Sequence, residues 1–151
     1  HTDGVSSVGV DGIPDGDYYV AVKHRNHLAV RTSGTITLDE TLSTYDFTTA
    51  LTQANDAGVG NAPMAEVEAG VYGMWGGDVN GNNTVTYAGL SNDRTAILTI
   101  LGGVGNELYE YSEGDVNMNG VTTYGGLSND RTAILTILGG VGNEIAGHVN
   151  N

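Results

Sequence analysis

Asp78, Asn80 and Asn82 place side-chain oxygens at alternate positions of a short segment, and Asp115, Asn117 and Asn119 repeat the arrangement 37 residues later. Oxygens at positions one, three and five of a tight turn converge on one point, as they do around a hard cation. Thr84 and Val121 follow at position seven, where a main-chain carbonyl serves as ligand, and Thr86 and Thr123 at position nine, where water bridges to the ion. The cation expected is calcium (Ca2+), at two sites. A bidentate acid is due at position twelve, but Gly89 and Gly126 stand there. Asp93 and Asp130 lie four residues further on, and they are the expected closing carboxylates. The inserted Tyr-Ala-Gly-Leu and Tyr-Gly-Gly-Leu segments allow each loop to fold back far enough for such a carboxylate to reach the ion.

The elements that must position these ligands are also duplicated. Residues 89–107 recur unchanged as 126–144. Asp93 and Asp130 each open a predicted helix, where their charge also favours the N-terminus. Gly102-Gly103 and Gly139-Gly140 stop the helices after about two and a half turns. Ile97, Ile100 and Leu101, with Ile134, Ile137 and Leu138, give one apolar stripe per helix. Helices this short are marginal alone, so bound ions and pairing of the copies are expected to stabilise them. Asx turns alone would also explain such Asp and Asn residues. Two copies with identical oxygen positions, each followed by a helix bearing an Asp in its first turn, favour the cation.

From Val5 to about Thr49 the pattern has period two, with Tyr18, Val20 and Val22 on one strand face and Tyr19, Ala21 and Lys23 on the other. Leu28 and Val30, Ile36 and Leu38, and Tyr45 and Phe47 continue the alternation between turn-forming segments. Four or five strands fall short of the roughly seven of a closed sandwich, so this β region is expected to be incomplete. Residues 51–75 read as an Ala-, Gly- and Asn-rich linker with a short helical turn around Met64 to Glu68, and Tyr72, Met74 and Trp75 as a small interdomain core. The expected division is a β domain over 1–50, a linker over 51–75 and the duplicated unit over 76–151.

Gly12-Ile13-Pro14-Asp15-Gly16-Asp17-Tyr18-Tyr19-Val20 resembles the entry to a central strand in prealbumin-like and immunoglobulin-like sandwiches of bacterial surface proteins. Residues 76–147 resemble a dockerin type I repeat pair, departing from it at the four-residue insertion and at position twelve. Thr95, Thr99, Thr132 and Thr136 give the helices no identifiable cohesin-recognition pair. The whole chain resembles the C-terminal module of secreted bacterial surface proteins, through Pro14 to Leu28, Asp78 to Arg94 and Asp115 to Arg131. The resemblance implies a mainly β, sandwich-like domain followed by a small α, dockerin-like domain of two calcium loop-helix repeats. It also implies attachment or assembly rather than catalysis.

Five Lys and Arg against eighteen Asp and Glu give a net charge of −13, which lacks the basic footprint of nucleic-acid or anionic-membrane binding. Two calcium ions would bring that charge to about −9. With no Cys, thiolate metal sites, disulfides and Cys nucleophiles are excluded. No apolar run approaches the roughly 20 residues of a membrane helix. The start at His1 is expected to mark a mature secreted chain, and the expected location is extracellular, at the cell surface, where free calcium is plentiful. No Ser-His-Asp or phosphate-cradling pattern emerges, so no enzyme is expected. His24 and His27 read as part of a polar turn with one structural hydrogen bond rather than a metal pair. His1 lacks a partner His in a recognisable setting for copper. Asn82 fits a glycosylation sequon, though it is better used as a ligand.

The expected function is a self-assembling, pilus-like filament whose open β domain is completed by a strand donated from a neighbouring copy. Among the candidate donors, His1 to Val10 is favoured over Ile145 to Asn151 for its Val5, Val8 and Val10. The alternative is a dockerin-like or carbohydrate-binding adhesion module of a larger cell-surface protein, with a surface protein or polysaccharide as partner.

Overall fold

A computed structural model describes Gly9 and residues 11–149. The favoured donor segment, His1 to Val10, lies outside the described residues but for Gly9. The first four strands are β1 (Gly16–Tyr18), β2 (Ala21–His24), β3 (His27–Arg31) and β4 (Ile36–Leu38). They pair antiparallel as β1 with β4 and β2 with β3. The alternation from Tyr18 to Val22 does not make one continuous strand. Thr32, fully buried, intervenes: its hydroxyl accepts the Val20 N–H at 3.2 Å, and its own N–H donates to the Val20 carbonyl at 2.9 Å. Tyr19 turns outward under the Arg31 guanidinium.

Three expectations for residues 45–75 are overturned. The alternating Tyr45 and Phe47 do not form a strand, because Asp46 accepts the Thr48 N–H at 2.8 Å and caps a 3-10 turn over Phe47–Thr49. A side chain that bonds its neighbouring backbone offers an alternative to the ladder, and here that alternative prevails. The expected helical turn around Met64 to Glu68 is instead β5 (Ala65–Glu68), in a hairpin with β6 (Val71–Gly73). Gly70, at φ 74°, supplies the left-handed turn residue, and its N–H donates to the Glu66 carboxylate at 2.9 Å. This segment is packed rather than loose: Met64 is 1% exposed and joins Val30 and Ala54 in a small core bordered by Phe47, Leu51, Tyr72 and Met74. The expected Tyr72, Met74 and Trp75 cluster is therefore split. Trp75 packs on the larger core and donates its indole N–H to the Ala62 carbonyl at 2.8 Å.

The duplicated half contains β7 (Thr84–Thr86), α1 (Asp93–Leu101), β8 (Glu107–Leu108), β9 (Thr122–Thr123), α2 (Asp130–Leu138) and β10 (Glu144–Ala146). Both helices end at a left-handed glycine, Gly102 and Gly139. The strand leaving each helix pairs with the loop of the other repeat, β8 with β9 and β10 with β7. Neither copy can form this arrangement alone. Their shared core holds Val79, Val85, Ile97, Leu101, Val116, Ile134, Leu138 and Ile145, with Leu28 entering from β3. Ile97 and Ile134 are fully buried, worth about 2–3 kcal/mol each relative to exposure. The predicted stripes hold except at the middle member of each: Ile100 is exposed and Ile137 only half-buried at the core edge.

The chain is thus a β-rich small domain of two-stranded sheets with two short helices. No larger sheet forms among the described residues, and none of their helices is long and apolar enough to cross a membrane.

Candidate metal centres

Each duplicated loop closes on itself through its Asp and Asn side chains. In the first, the Asp78 carboxylate accepts the N–H groups of Asn82 and Asn83 at 3.0 and 3.1 Å. Asn80 Oδ1 accepts the Asn82 N–H at 3.0 Å, and Asn82 Oδ1 accepts that of Thr84 at 2.9 Å. The second loop repeats this within about a tenth of an ångström. Asp115 takes Asn119 and Gly120 at 3.0 and 3.1 Å, Asn117 takes Asn119 at 3.1 Å, and Asn119 takes Val121 at 2.9 Å. These nested Asx turns engage the side chains at positions one, three and five with the backbone of their own loop. Thr84 and Val121 enter the network through their N–H groups.

The late carboxylates reach the loops as the spacing requires. Asp93 Oδ1 accepts the N–H groups of Val79 and Asn80 at 2.8 and 3.3 Å, and its Oδ2 that of Thr86 at 2.7 Å. Asp130 does the same with Val116, Asn117 and Thr123 at 2.8, 3.2 and 2.7 Å. The caps of the two helices are Asn92 and Asn129, whose side chains accept from Thr95 and Thr132. That division leaves Asp93 and Asp130 free of capping and turned into the loops. Sequence reasoning passed over Asn92 and Asn129, although Asn ahead of Asp at a helix start is itself a cap signal.

The inserted segments project outward. Leu90 and Leu127 at their tips are fully exposed, while Tyr87 and Tyr124 at their bases lie under Arg94 and Arg131, 5.0 and 5.1 Å from guanidinium carbon to ring centre. Ser91 and Ser128 take positive φ, and their carbonyls accept the side-chain N–H groups of Asn80 and Asn117, both at 2.6 Å. The insertion thus ties the position-three side chain to the approach of the helix.

Asp93 and Asp130 are fully buried, and Asp78 and Asp115 nearly so. Burial pushes the Asp93 carboxyl up to about 6, with the like charge of Asp78 adding and the N–H groups of Thr86, Asn80 and Val79 opposing. Asp130 is raised for the same reason, with Asp115 as the like charge, and Asp78 is raised by burial. Two carboxylates beside two amide oxygens are the kind of donor set that an oxygen-seeking divalent cation takes. No group of three His, Asp or Glu side chains gathers among the described residues, so half of each side-chain set is supplied by Asn.

The turn between β2 and β3 holds both loops, which its composition did not reveal. The main-chain carbonyl of Asn26 accepts Gly77 and Asp78 N–H at 2.8 and 3.1 Å, and its side-chain amide donates to the Glu113 and Asp115 carbonyls at 2.9 and 2.8 Å. Arg25 donates to the Ser112 carbonyl at 2.7 Å and to the Asp115 carboxylate at 3.2 Å, with its guanidinium over Tyr111. The polar turn expected around His24 and His27 is present, and its two imidazoles meet at 2.8 Å. Compared with protein-family models, curated proteins and solved structures, the chain gives no match.

Proposed function

We propose that this protein is an extracellular, non-enzymatic structural module that binds two calcium ions and assembles with copies of itself into a filament. The calcium reading rests on one observation: two loops with the same hydrogen-bond pattern, each gathering two buried carboxylates and two Asn oxygens. Asp78, Asn80, Asn82 and Asp93 would hold one ion, with the Thr84 carbonyl, and Asp115, Asn117, Asn119 and Asp130 the other, with the Val121 carbonyl. The bound ions neutralise carboxylates that burial disfavours as anions, and so fasten the strand exchange between the repeats.

Self-assembly is supported by the open edges of the β region. Among the described residues its ladders have two strands each, with the outer edge of β3 bonded to Trp75 and Asn55, and Tyr19, Val22 and Leu42 are exposed apolar groups beside them. Unpaired edges with apolar neighbours invite an added strand, which would turn this region into the sandwich-like domain that the sequence resembles. One candidate donor, the tail beginning at Ile145, is already paired with β7, so the N-terminal stretch is the proposed donor. Electron microscopy and light scattering of the purified chain with calcium and with chelator test this: filaments in calcium that shorten or disappear on chelation support it, and a persistent monomer at high concentration rejects it.

A second reading, a dockerin-like or carbohydrate-binding adhesion module, is favoured by the matched grooves of about 410 and 430 Å³ between each loop and its helix. They are lined by the same residue types, Asn80, Asn82, Thr95 and Thr99 in one and Asn117, Asn119, Thr132 and Thr136 in the other. A calcium-bound chain that stays monomeric but binds an immobilised polysaccharide supports this reading over the filament.

A further inference from the structure

The repeats are identical in sequence over residues 89–107 and 126–144, and their loops share one hydrogen-bond pattern, yet their first carboxylates differ in ionic partner. Asp115 carries an ion pair with Arg25, Nη2 to Oδ2 at 3.2 Å, with both side chains at least nine-tenths buried. Asp78, the equivalent carboxylate, takes N–H groups of its own loop, and no ion pair forms on it among the described residues. Arg25 is not free to swing away. Its Nε donates to the Ser112 carbonyl at 2.7 Å, its guanidinium carbon lies 4.1 Å from the centre of the Tyr111 ring, and its Nη1 lies 3.3 Å from His24 Nε2.

We propose that Arg25 makes the two calcium sites unequal: the first loop fills first, and the second is a weaker site whose affinity is set by the guanidinium from the β2–β3 turn. This rests on the calcium reading of the loops. A fixed positive charge against a ligand oxygen does two things. It repels an incoming divalent ion, and it already satisfies part of the negative charge that would attract one. In a buried setting neither effect is well screened by salt. The same guanidinium ties the second loop's first carboxylate to the β2–β3 turn, whereas the turn holds the first loop through the Asn26 main-chain carbonyl.

Titration calorimetry of the full chain with calcium alone, at neutral pH, tests the inference. Two binding steps at least about tenfold apart in dissociation constant are expected, a difference of about 1.4 kcal/mol. Asp115→Asn should remove the weaker step and Asp78→Asn the tighter one. Arg25→Met should tighten the weaker step to within about threefold of the other, and Arg25→Lys, which keeps the charge, should preserve most of the gap. Arg25→Gln, which retains a donor towards the Ser112 carbonyl, replaces Arg25→Met if circular dichroism shows that variant unfolded. Two equal steps in the wild type, a gap unchanged by Arg25→Met or Arg25→Gln, or loss of the tighter step in Asp115→Asn overturns the role of Arg25 and leaves calcium binding standing. Absence of any calcium heat in the wild type overturns both.

Discussion

The side-chain amide of Asn26 donates to the main-chain carbonyl of Asp115 at 2.8 Å, and both residues are buried. Through the carbonyl of the same residue the turn also holds the amide of Asp78, so the opening residues of both loops hang on Asn26. A single polar side chain at a junction of three segments is sensitive to truncation, because its partners have no water to turn to.

Asn26→Ala should therefore cost about 2–4 kcal/mol, from one buried and one part-buried carbonyl left without their donor. For a chain of this size that corresponds to a fall in Tm of roughly 5–15 °C by differential scanning calorimetry. A loss below about 0.5 kcal/mol would mean that the loops do not depend on the turn.

The buried carboxylates predict a strong dependence on metal. Calcium at about a hundred times a site's dissociation constant adds about 2.7 kcal/mol of stability per site. Chelator should lower the Tm of the wild type accordingly and leave the Asp93→Asn, Asp130→Asn double variant unmoved. Calorimetric scans of both chains, with and without chelator, check this. Equal responses would remove Asp93 and Asp130 from the ion's surroundings.

The duplicated half was legible because its signals are local. Asp93 and Asp130 at helix starts, Gly102 and Gly139 at their ends, and matched oxygens in between depend only on neighbours within a turn or a loop, and an exact repeat shows them twice. The first half was less so. Tyr45 and Phe47 alternate as a strand would, but Asp46 captures the local backbone, and alternation carries no information about that competition. Met64 reads as linker because the Ala, Gly and Asn around it say nothing of Val30 and Ala54, which bury it from positions distant in sequence. Arg25 and Asn26 read as an ordinary polar turn for the same reason, since their partners lie 87 to 90 residues away.

His27 gives the turn a pH limit. Burial lowers its imidazole to about 4, with His24 and Arg25 adding like charge, so it stays neutral in the fold where an unfolded chain would protonate it. A depressed His contributes stability that is complete above about 6.5 and is lost as pH falls towards 4. Reduced for the ring's partial exposure to solvent, the contribution is about 2 kcal/mol. Asp93, raised to about 6, acts in the opposite sense in metal-free protein, favouring the fold at low pH and losing that contribution as pH rises towards 6. The difference in urea stability between the wild type and His27→Gln in chelator cancels the Asp93 contribution. It should decline by that amount between pH 6.5 and 4, and a flat difference would place His27 in solvent-like surroundings.

Strand exchange predicts that damage at one end of the duplicated half spreads to the other. Ile145 in β10 is 7% exposed and pairs with Val85 in β7, which is fully buried in the first loop. Ile145→Ala should cost about 2–5 kcal/mol by leaving a cavity between the two repeats. Because β10 follows α2 but completes the first repeat, α1 and α2 should be lost together. Hydrogen exchange on the variant is expected to show equal loss of protection in both helices. Protection falling in α2 alone, with α1 unchanged, would mean that the repeats fold independently and that the exchanged strands do not couple them.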